Sequence, residues 1–245
     1  MHRGGVCTGG IPGADEAGGA RGNGQWAAGK DFAKDGGGEL GKSGLGRHRG
    51  RGENAGLRIG FAMCGSFCTF AAAFSALEQL AEQYDDIFPI MSEISQSADT
   101  RFGTAQEHIE RITRLCGKAP ATSIVQAEPI GPKALLDLLI IAPCTGNTLS
   151  KMAQGITDST VTMAAKAQLR NQRPVLLAVS SNDGLGASGR SIMELMVRRN
   201  VYFVPFGQDD PAHKPQSLKA DMARIPEAAE AALRGRQLEP VLREL

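Results

Sequence analysis

The chain has 245 residues, 42% hydrophobic and 22% charged, with a formal net charge of +1. That balance gives no electrostatic case for a nucleic-acid partner, and no apolar run approaches the roughly 18 residues of a membrane span. Five cysteines (Cys7, Cys64, Cys68, Cys116 and Cys144) form an odd, unpatterned set that indicates neither a disulfide framework nor a metal site. With no apolar leader at the N-terminus, a reducing cytoplasm is the expected compartment.

Composition changes sharply near residue 57. Residues 1–56 hold 19 of the 31 glycines, and Val6, Ile11, Leu40 and Leu45 are almost their only aliphatic residues. Such a segment buries too little apolar surface to offset its ordering entropy, so disorder is expected. Within it, Gly36 to Ser43 fits the string G-x-x-x-x-G-K-S. A phosphate-binding loop of that kind works only between a buried strand and a helix, and neither neighbour here is suited to its part. The basic run from Arg47 to Arg51 reads as a solvated tail.

From Leu57 onward the pattern is α/β. Apolar runs at 57–63, 87–92, 134–142, 174–180 and 201–206 read as strands, with Pro89 weakening the second. Residues 122–127 read as a further short strand. Helical spacing marks 70–83, 104–116, 148–153, 159–170, 188–199 and 226–234. Continuous apolar strands alternating with helices predict a parallel sheet covered on both faces. Residues 57–245 therefore form one three-layer, doubly wound α/β domain of Rossmann or flavodoxin type.

In that fold the carboxyl ends of the strands carry the ligands. The first such turn is Cys64-Gly65-Ser66-Phe67-Cys68-Thr69. Gly65 allows close approach of a ligand, while Ser66 and Thr69 offer hydroxyls beside the free amides of a helix start. The set suits a phosphate; the plainer reading is that Ser66 caps the helix. Gly60 and Gly65 do not make the G-x-G-x-x-G fingerprint of dinucleotide sites, and Glu93 follows too late to serve as its ribose-binding acid. Ser92 and Ser95 fit a phosphate or ribityl chain better. A mononucleotide such as FMN is favoured over NAD.

The second loop, Pro143-Cys144-Thr145-Gly146-Asn147-Thr148, follows the strongest apolar run. Pro143 is expected to stop the strand and Gly146 to permit an unusual turn. Asn147 either caps the next helix or presents an amide that donates and accepts at once, as a flavin edge requires. A third loop, Ser180-Ser181-Asn182-Asp183-Gly184-Leu185-Gly186, is polar, and its glycines suggest a hinge. His108, on a core helix, is either a general acid or base or a structural histidine. His213 reads as a surface turn.

Taken together, these features resemble the FMN-dependent flavoprotein family that includes phosphopantothenoylcysteine decarboxylase, lantibiotic cysteine decarboxylases and flavin prenyltransferases. Residues 143–148 match its Pro-Ala-Ser-Ala-Asn-Thr motif, with Lys151, Ala153, Gly155 and Asp158 continuing it. Gly65-Ser66 matches its Gly-Ser turn, and His108-Ile109 its active-site histidine. The resemblance covers residues 57–206. It is sharper for one branch, the dipicolinate synthase B subunits, through RFGTAQEHIERI, APCTGNTLSKMA, SSNDGLG and VYFVPFGQDDPAHKPQSL.

That branch implies a role in spore formation, in the mother cell. The reaction implied is oxidation of a dihydrodipicolinate-type lysine-pathway intermediate to dipicolinate, with an A subunit carrying NAD(P). It implies FMN held by Gly65, Ser66, Thr69, Ser92, Pro143, Thr145, Gly146, Asn147 and Thr148. His108 and Asn147 would be catalytic, and Ser181, Asn182 and Asp183 would meet a small dicarboxylate substrate. A homo-oligomer is expected by analogy. The decarboxylases' methionine-and-asparagine clamp reads Ser180-Ser181-Asn182-Asp183 here, and no cysteine follows Cys144, which argues against cysteine decarboxylation. Two alternatives stay open: a stand-alone flavin decarboxylase or prenyltransferase, and a non-catalytic scaffold subunit.

Overall fold

A computed structural model describes residues 56–244. The glycine-rich extension, its G-x-x-x-x-G-K-S string and its basic run lie outside the described residues. Five parallel strands form the body of the sheet: β1 (Arg58–Met63), β2 (Asp86–Met91), β3 (Leu138–Cys144), β4 (Val175–Ser181) and β5 (Val201–Phe203). Their order is β2-β1-β3-β4-β5, so the winding reverses between β1 and β3. That reversal opens a crevice at the carboxyl ends of those two strands.

Helices cover both faces. On one, α1 (Phe70–Gln83) packs with α7 (Ile225–Leu233); on the other, α5 (Thr160–Arg170) lies with α4 (Gly146–Ala153) and α6 (Gly189–Met196). Strands β3 and β4 are buried along their whole length for this reason. α1 turns Phe70, Ala73, Phe74, Leu77 and Leu80 into the core at helical spacing. α2 (Ala105–Cys116) packs near the β2 edge. It opens on a reciprocal cap between Thr104 and Glu107 and ends at Gly117, whose φ of 68° suits a left-handed helix stop.

Four expectations change. Residues 122–127 are no strand: they form the short helix α3 (Ile124–Ala127), because Ser123 caps it by accepting from the Gln126 amide at 3.3 Å. Only Ala121 joins the sheet, bridging to Ile90. Residues 134–137 are not strand, and β3 begins at Leu138. At its far end, Pro143 does not stop β3. The strand runs on to Cys144 with a register shift after Ile141, and the Pro143 carbonyl accepts from the Cys64 amide at 3.2 Å.

The run 201–206 divides. β5 ends at Phe203, and β6 (Phe206–Gly207) pairs antiparallel with β7 (Leu218–Ala220), a strand that no apolar pattern in the sequence announces. β7 also pairs antiparallel with the carboxyl end of β4, setting Lys219 opposite Ser180. Pro89 is tolerated because its carbonyl accepts from Ala121 on the outer side of β2, so its missing N–H would also have faced away from β1. The free edge of β5 is closed by a side chain: the Gln237 amide accepts from the Phe203 N–H at 2.9 Å and donates to the Phe203 carbonyl at 2.7 Å.

At the opposite, amino ends of the strands, charges are matched to one another. Asp137 accepts from the Arg58 amide at 2.9 Å and pairs with Arg173 at 2.5 Å. Burial alone would raise its pKa; the Arg58 amide and the two arginine side chains outweigh that and hold the carboxyl below its ordinary value. Among the described residues no helix is long and apolar enough to cross a membrane.

Candidate functional site

The crevice between β1 and β3 opens into a cavity of about 730 Å³, within the range of small-molecule sites. All three polar loops reach it. Its wall includes Gly65, Ser66 and Thr69 after β1, Thr145, Gly146 and Asn147 after β3, and Ser181, Asn182 and Asp183 after β4. The β6–β7 hairpin closes another side with Asp209, Lys214, Ser217 and Lys219, and the 100–103 turn brings Arg101 and Phe102. These last residues were not singled out from the sequence. Asp209, Lys214 and Ser217 fall in the 201–218 motif, and Arg101 and Phe102 open the motif at 101–112, each read as a block rather than residue by residue; Lys219 lies one residue beyond the former.

Ser66 does not cap a helix with its side chain. Its hydroxyl instead bonds the Ser180 hydroxyl at 2.8 Å, and Thr69 joins the cluster, 3.3 Å from Ser180 while donating to the Ser66 carbonyl at 2.8 Å. Three hydroxyls thus meet where the chain enters α1. Gly65 has a different use from the one expected: a Cβ there would stand 2.6 Å from Ile94, so the glycine admits that packing.

Asn147 does not cap α4. Thr145 does, accepting from the Thr148 amide at 3.3 Å, which leaves the Asn147 side chain exposed on the cavity wall. Gly146 sits against a carboxylate. A Cβ at that position would lie 2.3 Å from Ser188 Oγ, 2.6 Å from Ser181 Oγ and 2.9 Å from Asp183 Oδ1. Ser181 and Ser188 both donate to that Asp183 oxygen, at 2.5 and 2.8 Å, and the two hydroxyls hold the carboxyl below its usual range. The anion therefore lies beside the first turn of α4, the favourable end of the helix dipole.

The third loop is not hinged by its glycines. A Cβ at Gly184 would meet Leu218 at 2.7 Å, and one at Gly186 would meet Gln216 at 2.5 Å. The Leu185 amide donates to the Gln216 carbonyl at 3.0 Å. These glycines let the loop pack under the β6–β7 hairpin.

Several expected site residues stand off the cavity wall. Ser92 is buried and bonds Ser95 at 3.0 Å, while Ser95 donates to the Met63 carbonyl at 3.0 Å. Pro143 is enclosed in β3. Thr148 is buried and donates to Cys64 Sγ at 3.2 Å. Glu93 accepts from the amide and hydroxyl of Thr160, at 2.8 and 2.9 Å, and so anchors the start of α5. His213 is a surface turn residue bonded to Asp210 at 3.0 Å.

His108 is one layer behind the wall, its ring centroid 6.4 Å from that of Phe67, which lines the cavity, and 4.8 Å from that of Phe70. Burial lowers its pKa, so it is neutral at pH 7, and its Nε2 is buried without a hydrogen-bond partner. That nitrogen faces Gly103, where a Cβ would come within 3.2 Å of it. Two cysteines lie buried behind the wall: burial pushes Cys64 up to about 11, and burial then the nearby Cys64 push Cys144 well above the ordinary value, whereas the exposed Cys68 lines the cavity itself.

The residues present fit FMN. A three-hydroxyl cluster at a helix entry can take the phosphate. The exposed Asn147 amide and the Thr145–Asn147 backbone can meet a ring edge, and Phe67 and Phe102 supply apolar surface. The Flavoprotein family model matches residues 48–201, and this chain belongs to that family. Within it, the chain is 48% identical over 189 residues to the dipicolinate synthase B chain of Bacillus subtilis strain 168, covering 77% of this chain and 94% of the relative. The crystal structure of the corresponding B chain of dipicolinate synthase from Bacillus halodurans superposes with a TM-score of 0.72 at 47% identity, over 78% of this chain and 98% of that one. An FMN-dependent cysteine decarboxylase shares the fold, with a TM-score of 0.52 at 21% identity over 74% of this chain and 98% of its own.

Proposed function

We propose that this chain is the B subunit of a dipicolinate synthase, an oxidoreductase component that binds FMN. It would work with an A subunit carrying NAD(P) to oxidise a dihydrodipicolinate-type intermediate to dipicolinate during sporulation. The single observation that carries this reading is the convergence of the 65–69, 145–147 and 181–183 loops on one cavity, in a chain 48% identical to such a protein.

When bound, the flavin supplies the two-electron acceptor. The chain's own groups orient and shield. Ser66 and Thr69 hold the phosphate, and Asn147 fixes the ring edge by donating and accepting. Asp183 is anionic at neutral pH, so it accepts from an N–H or O–H of the ligand rather than meeting a carboxylate; Ser181 and Asn182 flank it. His108, neutral and with an unpartnered Nε2, is the candidate for proton transfer, one layer behind Phe67. A mother-cell cytoplasmic location and a homo-oligomeric assembly follow from the same reading.

The full chain is purified and its visible spectrum recorded with FMN titration. Yellow protein, or saturable FMN binding, is expected; colourless protein that ignores FMN overturns the cofactor assignment. With the A subunit added, Asn147→Ala and His108→Ala are expected to lower dipicolinate formation by about tenfold or more. Unchanged rates in both would favour a scaffold role. A stand-alone decarboxylase is disfavoured because no cysteine follows Cys144 and none of residues 180–183 is methionine.

A further inference from the structure

The β6–β7 hairpin brings a cation to the hydroxyl cluster. Lys219 stands directly opposite Ser180 in the antiparallel pairing of β7 with β4. Residues paired in this way project from the same face of the sheet with Cβ atoms about 5 Å apart. Leu218 and Ala220 are buried on the other face, and Lys219 is half-buried on the cavity wall. Ser180 spends its hydroxyl on Ser66 and Thr69, and Lys219 shares the cavity wall with all three.

Of the other charges around Lys219, the Asp209 carboxylate is near enough to be held down by Lys219 as well as by Lys214, and its Oδ1 is buried without a hydrogen-bond partner. Lys214 pairs with Asp209 at 3.4 Å, and Asp183 is satisfied by Ser181 and Ser188. Arg101 lies over the Phe102 ring at 4.8 Å, at the tip of the 100–103 turn. Among the described residues Lys219 makes neither an ion pair nor a side-chain hydrogen bond. A half-buried lysine without an ion pair, on one cavity wall with a cluster of hydroxyls, is an arrangement for an anion, since hydroxyls alone cannot neutralise it.

We propose that Lys219 is the counter-ion of the FMN phosphate, and that the β6–β7 hairpin thereby completes the phosphate pocket begun by Ser66, Thr69 and Ser180. This rests on the FMN reading above. It gives the β6–β7 hairpin a physical purpose: its second strand carries the charge that the β1 turn lacks. Riboflavin, which has the same ring and ribityl chain but no phosphate, has no use for that charge.

The test measures FMN and riboflavin affinity of the full chain by fluorescence quenching, for wild type, Lys219→Met and Lys219→Arg. Lys219→Met is expected to weaken FMN roughly ten- to a hundredfold and leave riboflavin unchanged. Lys219→Arg is expected to retain most of the FMN affinity, and the salt dependence of FMN binding flattens in the Met variant. Thermal unfolding of each apoprotein verifies that the variants are folded. Equal weakening of both flavins, or of neither, overturns the proposal. So does loss of pyridine-2,6-dicarboxylate binding with FMN affinity intact, which would make Lys219 a substrate group. If wild type binds neither flavin, the FMN reading itself fails, an outcome distinct from a silent Lys219→Met.

Discussion

The two ends of the sheet treat charge in opposite ways. At the amino ends, Asp137 is shared by Arg58 and Arg173, so each charge of the set has a partner of opposite sign. At the carboxyl ends, Asp183 is bonded by two hydroxyls and by no cation, while Arg101 and Lys219 form no ion pair among the described residues. Both aspartates are held below their ordinary pKa, one chiefly against burial by an amide and two guanidinium groups, the other by two serines. A closed set of charges at one end fastens strands together, and an open set at the other leaves work for a ligand.

The sharpest way to break that comparison is to remove Asp137. Asp137→Asn strands two arginines and is expected to cost about 2–3 kcal/mol of stability, read as a fall in Tm, with FMN affinity of the folded protein unchanged. Because the folded pKa is depressed, the stabilisation is present above the unfolded value near 4 and is lost as pH falls toward the folded one. The variant therefore loses less stability than wild type on acidification below about pH 4. A shift in FMN affinity would show that the two ends are not independent.

Gly146→Ala acts on the other end and should move both readouts. Its Cβ collides with Ser188, Ser181 and Asp183, which predicts a loss of about 1–2 kcal/mol in urea unfolding together with weaker FMN binding. Asn147→Ala is narrower: the side chain is exposed and caps nothing, so FMN affinity should fall about tenfold while the Tm of the apoprotein holds. The smallest effect belongs to His108. Its folded pKa is lowered, so its contribution is complete above about pH 6.5 and fades as pH falls through the folded value. His108→Phe should flatten the decline of Tm on that acid side.

Much of the fold is legible in the sequence because burial on both faces leaves a plain record. β1, β3 and β4 are apolar without alternation, and the helices between them keep their spacing. What escapes is short or borrowed. β7 has three residues, too few for a period to register, and its place is set by pairing with β4 rather than by its own pattern. Residues 122–127 contain an apolar pair that reads as strand, yet Ser123 and Gln126 at cap spacing outweigh it.

The site is legible as three loops but not as a set of partners. Ser66 and Asn147 each have a capping alternative that only three dimensions can remove, whereas Ser92 and Thr148 prove to be bonded inside the core. The glycines mislead in a consistent way. Gly65, Gly146, Gly184 and Gly186 look like freedom for a ligand or a hinge, and each also makes room for a protein side chain, while Gly65 and Gly146 still line the cavity.

Gly146 constrains how sequences of this kind can change. The family motif that residues 143–148 resemble carries alanine at this position. A chain that keeps that methyl must move the two serine hydroxyls from the positions in which they bond the Asp183 carboxylate here. A single absent carbon thus ties the loop after β3 to the loop after β4, although 37 positions separate Gly146 from Asp183.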